Sequence, residues 1–110
     1  MKTTIEFLDA VKEKLGLTSD YALAKQLGFP LSSVSSYRTG RRVLDDDAAL
    51  TVALALETHP FNVIAAVNAE RAKTPEQRAR WSGVMEKFSA SFKTLLSGSW
   101  SGVERRLLPR

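Results

Sequence analysis

Apolar residues in this chain recur at three- and four-residue spacing along nearly its whole length, and no stretch alternates apolar and polar side chains long enough to read as a strand. That periodicity confines the fold class to all-α. The helix boundaries are marked by capping residues. Thr3 with Glu6 three positions on makes a capping box, Phe7, Leu8, Val11 and Leu15 line one face behind it, and Gly16 supplies the left-handed stop. Ser19 or Thr18 caps a short second helix with Leu23, Ala24 and Leu27 inward and Gly28 as its end. A third starts near Pro30 or Leu31 and runs through Val34 and Tyr37 to Gly40. Asp45 caps a fourth, with Asp46 and Asp47 at its positive end and Leu50, Ala53, Leu54 and Leu56 as its expected apolar face.

His59-Pro60 breaks that helix and opens a fifth, expected to hold Phe61, Ile64, Ala65 and Val67 inside and to end near Lys73. Thr74-Pro75-Glu76-Gln77 again combines a cap, a proline and a capping-box partner, so a sixth helix starts there and runs to about Leu96. Beyond it the small residues of Ser97-Gly98-Ser99-Trp100-Ser101-Gly102 and the unpatterned Arg105 to Arg110 read as a loose tail. The expected organisation is a five-helix unit over residues 1–73, an amphipathic helix over 74–97 and a tail over 98–110.

Several function classes drop out on composition. With 110 residues the chain suits one domain, and 44% hydrophobic residues supply it with a core. No Cys and a single His leave no thiolate metal site, no disulfide framework and no nucleophile with a partnered imidazole, so no metal, no cofactor and no enzymatic activity are expected. The lone His59, placed before Pro60, reads as a neighbour of a helix start. Glu6, Asp9, Lys12, Glu13 and Lys14 interrupt any signal-peptide pattern. The most apolar run, Ala48 to Leu56, is too short to span a bilayer, so a cytoplasmic protein with no membrane partner is expected. The net charge of +4 tilts the chain towards polyanions.

Residues 20 to 40 carry the functional signal. Two short helices joined by a Gly-containing turn need a small residue where they cross, a reversal permitted by glycine, and an apolar plug from the second helix. Ala24, Gly28 and Val34 fill these roles, with Leu23, Leu27 and Tyr37 closing the seam. Leu-Ala-x-x-Leu-Gly at positions 23 to 28, Val34 six after the Gly, and Gly40-Arg41-Arg42 resemble the helix-turn-helix of Cro and lambda-repressor type regulators, also called the xenobiotic-response-element family. The layout from Thr3 to about Val67 is similar to that family's five helices.

The resemblance implies that Leu31 to Thr39 enters the major groove of an operator in double-stranded DNA, with Leu31, Ser32, Ser35 and Ser36 towards base edges. Many relatives place Gln, Arg or Asn there. Serine hydroxyls pair with any base, so direct readout is expected to be modest, with water and DNA shape supplying the rest of the selectivity. A solvated helix face is the plainer reading of these serines. Lys25, Thr39, Arg41 and Arg42 are expected on phosphates, against the alternative of ordinary surface cations. In relatives a helix 1 Arg pairs with an acid at the position of Arg38. Here Glu13 holds the helix 1 place, so a charge-reversed Glu13 to Arg38 bridge is expected to brace the third helix, and Asp20 reads as a local cap. By segment, residues 45–60 hold four acids and no bases, and this block is expected to sit away from the reading helix.

Trp81, Val84, Met85, Phe88, Phe92, Leu95 and Leu96 form one apolar stripe on the sixth helix. It is open to three readings: packing on the core, a homodimer interface, or contact with a membrane or a protein partner. Relatives dimerise through helix 5 and the segment after it, which places Phe61, Val67, Trp81, Met85 and Phe88 at an interface. The function expected is that of a phage or prophage repressor acting as a dimer. The competing readings are an antitoxin-like autoregulator and an interaction module, in which residues 75–110 hold a partner.

Overall fold

The computed structural model describes residues 2–97 of the chain. These form six helices: α1 Thr4–Leu15, α2 Asp20–Leu27, α3 Leu31–Arg38, α4 Asp46–Leu56, α5 Pro60–Arg71 and α6 Pro75–Ser97. There is no strand among the described residues. The expected tail, 98–110, lies outside them.

The helix starts follow the capping chemistry of the sequence. Thr3 and Glu6 close a reciprocal capping box, Ser19 rather than Thr18 caps α2, and the Asp45 carboxylate accepts from the Ala48 N–H. His59 caps α5 with its ring, Nδ1 accepting from the Phe61 N–H at 3.1 Å. Before α6 the box is shifted by one residue. Thr74 Oγ1 accepts from the Gln77 N–H, while the Gln77 amide oxygen reaches back to the N–H of Lys73 instead of Thr74. Pro30 stands at the N-cap of α3, one residue before the first helical position, and its side chain makes no cap hydrogen bond.

One core joins α1 to α5. Leu8, Val11, Leu23, Val34, Leu44, Val52 and Val63 are fully buried in it, with Phe7, Ala24, Tyr37, Ala49, Ala53, Ala66 and Val67 around them. At roughly 1.5–3 kcal/mol for each large apolar side chain removed from water, this cluster is the main stabilising term of the fold. Among the described residues a single polar one, Thr4, is buried beside it and fully satisfied. Its hydroxyl donates to Glu70 at 2.8 Å and accepts from the Leu44 N–H at 3.2 Å, and its own N–H also reaches Glu70. Arg71 donates to the Leu44 carbonyl at 2.9 Å. Thr4 therefore pins the first turn of α1 to α5 and to the segment entering α4.

Expected apolar faces on three helices are corrected. On α4 the buried residues are Ala48, Ala49, Val52 and Ala53, whereas Leu50 is 42% and Leu54 66% exposed and Leu56 is half-buried. The small residues let α4 sit close against α1 and α5, and the larger leucines one step round the helix are displaced outward. Leu15, expected inward on α1, is likewise exposed, because the helix ends there at the left-handed Gly16. On α5 Val63 is buried while Phe61 and Ile64 are half-buried.

The sixth helix folds back along α5. Phe88 meets Phe61 with ring centroids 4.8 Å apart and His59 at 4.9 Å, both tilted, a geometry aromatic pairs favour. Met85 reaches a small hollow shared with Phe7, Leu56 and Ala66. Packing on the helical unit is thus the reading of the stripe that holds for Met85 and Phe88. The side chains of Phe92, Leu95 and Leu96 lie outside those described.

Candidate nucleic-acid interface

The pairing of α2 with α3 is built by the residues the sequence singled out. Leu23 and Val34 are fully buried, Ala24 and Tyr37 nearly so, and Leu27 packs half-buried against them. Gly28 ends α2 with φ +72°, and its N–H bonds back to Ala24 and Lys25. Three residues, Gly28, Phe29 and Pro30, make the turn, and Phe29 lies edge-on to Tyr37 with centroids 6.2 Å apart. Burial raises the Tyr37 phenol above its ordinary value, so it stays protonated.

Anchoring the inner side of α3 turns its other side outward. Leu31 is 51% exposed, Ser32 and Ser35 are exposed, and Ser33 and Ser36 are half-buried. Lys25 on α2 and Thr39, Arg41 and Arg42 after α3 are exposed as well. The helix is short and polar outside, with cations at its exit. α3 packs on α1 and α2, and α6 packs on α5, so α6 leaves the outer side of α3 open among the described residues.

The exit segment is internally ordered. Thr39 Oγ1 donates to the Ser36 carbonyl and accepts from Arg41 Nε at 3.2 Å. Arg42 lies over the Tyr37 ring at 5.4 Å and donates to Ser33 Oγ at 3.3 Å. The acidic block is not remote, contrary to expectation. Asp45 and Asp47 line one cleft with Ser33, Tyr37 and Arg42. The cap that starts α4 must come only a few residues after the loop leaving α3, which brings its carboxylates beside Arg42. Arg41 does not line that cleft.

The expected Glu13 to Arg38 bridge is not formed. Arg38 instead grips Asp20 with two donors, Nε at 3.1 Å and Nη2 at 2.9 Å, and reaches Asp9 through Nη1 at 2.7 Å. Lys12 joins at 3.4 Å from Asp20, and Glu13 is exposed. Asp9 lies one turn before Glu13 on the same face of α1, so the face was right and the turn was wrong. Asp20 is a bracing partner and not the cap, a role that falls to Ser19. The forked Arg38 side chain ties the end of α3 to the middle of α1 and the start of α2, which a lysine could not do bidentately.

The Arg38 hydrogen bonds hold the Asp20 carboxyl below its usual range, against a smaller opposing effect of burial. A carboxylate whose folded value is depressed adds stability that is present above the unfolded value, near 3.8, and lost as pH falls through the folded one. Replacing Asp20→Asn is expected to cost on the order of 1 kcal/mol near neutral pH and to flatten the acid limb of the melting temperature below about pH 4. Thermal melts between about pH 2 and 7 check this; parallel limbs for both proteins would remove Asp20 from the brace.

The residues expected at a homodimer interface do not form one surface. Val67 is 2% exposed and belongs to the core, because α5 turns this position towards α4 and away from solvent. Met85 and Phe88 are half-buried against this chain's own residues. Phe61 and Trp81 line an open groove between α5 and α6. No described helix is long and apolar enough to cross a membrane, and no group of described His, Asp and Glu residues has the arrangement of a metal site.

Residues 64–98, which take in the last two thirds of α5 and all of α6, match the model of a family described as phage related protein, DUF3693. The chain is 36% identical over 84 residues to the uncharacterized protein Gp-c of Pseudoalteromonas phage PM2, a match covering 72% of this chain and 90% of the phage protein. No solved structure matches significantly. A relative of that identity, covered over nine tenths of its length, places the chain in the phage protein family to which Gp-c of phage PM2 belongs.

Proposed function

We propose that the chain is a sequence-specific double-stranded DNA-binding regulator of phage or prophage origin, a repressor that occupies an operator through α3. In this reading α1 to α5 are a lambda-repressor-like unit and α2 and α3 its helix-turn-helix. Leu31, Ser32, Ser35 and Ser36 face base edges, while Lys25, Thr39, Arg41 and Arg42 hold phosphates. The observation that carries the reading is the anchored inner side of α3 beside its open, polar outer side and the cations that come after it. A polar helix of eight residues with one side open among the described residues suits a groove about 12 Å wide.

The Arg38 brace has a use in this scheme. It fixes the tilt of α3 from the side facing α1, leaving the serines to solvent or bases. It also neutralises Asp9 and Asp20, which would otherwise repel phosphate at the start of α2. One such helix reads only a few base pairs, so the proposal includes a homodimer on two half-sites about 34 Å apart. No catalytic role and no cofactor enter the scheme.

Selection from random duplex DNA tests the reading. The wild-type chain is expected to enrich one motif with dyad symmetry, and Leu31→Ala and Ser36→Ala to change the preferred bases within it, by about 1–3 kcal/mol per altered base pair. An unchanged motif in both variants would show that α3 does not face the bases, and no motif at all would end the DNA reading.

A further inference from the structure

The groove between α5 and α6 takes no part in the proposed DNA contact. It is open, with a volume of about 760 Å³, and its apolar side chains are Phe61, Ala72, Trp81 and Val84. Val84 is 47% exposed, an apolar residue in the middle of a long helix turned towards the groove. The charged residues lining it are Arg71, Lys73 and Arg80, and no described carboxylate lines it beside them. Arg71 is committed to the Leu44 carbonyl, while Lys73 and Arg80 enter no ion pair among the described residues. Asn68 and Gln77 complete the polar lining.

We infer that this groove is a docking site for an acidic protein segment carrying an aromatic or leucine anchor. The anchor fills the space between Phe61 and Trp81, and carboxylates on either side meet Lys73 and Arg80. An apolar floor gains from being covered, and the sign of the rim decides by what. A second copy placed on a two-fold axis through the groove would set these cations against their own equivalents. Nucleic acid would meet the cations but would leave the apolar floor unfilled. The residues that match the phage family, 64–98, include every lining residue except Phe61.

The test uses the full-length chain as bait for a display library of random peptides about a dozen residues long. The counter-baits are Lys73→Glu with Arg80→Glu, and Trp81→Ala. Enriched peptides are expected to hold acidic residues around one large apolar side chain. Their affinity is expected to fall at least about tenfold for either counter-bait, and to return on the charge-reversed bait when the peptide's acids are replaced by lysines. Helical content and the DNA motif selected by the same variants are expected to match wild type, since the groove and α3 share no residues. That parallel measurement keeps failure of the groove apart from failure of the DNA reading. No enriched class, or binding that survives charge reversal, overturns the proposal. A dimer that falls apart on charge reversal also overturns it, by making a second copy the occupant, as does competition between duplex DNA and the selected peptide on the wild-type chain.

Discussion

Replacing Arg41 and Arg42 together by alanine is expected to weaken binding to every DNA sequence while lowering the melting temperature of the protein by only a few degrees, the loss of the Arg42–Tyr37 contact. Each phosphate that loses its cation lowers the slope of log K against log salt by about 0.9, so the pair accounts for about 2 units. Between about 50 and 200 mM salt, the double variant should lose roughly tenfold less affinity than wild type loses. The two residues are not equal. Arg42 is held over Tyr37 and shares its cleft with Asp45 and Asp47, whereas Arg41 hydrogen-bonds the Thr39 hydroxyl and lies outside that cleft. Arg41→Ala alone should therefore lower the slope by the full amount of one contact, about 0.9, and Arg42→Ala by no more than that. Binding isotherms at four or more salt concentrations decide this, and an unchanged slope in the double variant takes the α3 exit out of the interface.

The second large effect concerns folding. Leu23 is fully buried where α2 meets the rest of the core, and Leu23→Ala should destabilise the chain by about 2–5 kcal/mol. A domain of this size has on the order of 5–15 kcal/mol to lose, so the melting temperature should fall by roughly 10–20 °C. DNA binding should fail on warming and recover on cooling, with an unchanged motif and salt slope. The arginine variant should show the converse, near-normal melting and a changed slope. If Leu23→Ala melts within about 2 °C of wild type, the junction of α2 with the core is not as tight as its burial implies.

The helix pair at the candidate site was legible in the residues because its constraints are local. A left-handed turn at Gly28, a small residue at Ala24 and a plug at Val34 six positions later act within a short stretch of chain, and all three stand where expected. Capping was legible for the same reason, since Thr3, Ser19 and Asp45 act on N–H groups three residues away. The brace was legible only as a need. Arg38 had to find an acid on α1, but Asp9 and Glu13 share a face, and the axial position of α3 along α1 chose between them. Thr4 carried no local mark, because its partners Leu44 and Glu70 are 40 and 66 residues away.

Periodicity determined that this protein is helical, and together with capping residues, prolines and glycines it determined where its helices begin and end to within a residue or two and which few side chains make the α2–α3 seam. Tertiary packing decided the rest. It put the alanines of α4 inside and its leucines out, because a close approach of three helices rewards small residues that a hydropathy pattern counts as weak. It also brought Asp45 and Asp47 beside Arg42, and spent Phe88 and Met85 on the chain's own α5 and α1 while leaving Trp81 and Val84 in an open groove. A helical stripe states that something must cover it; only the crossing of one helix over another states which residues are covered already.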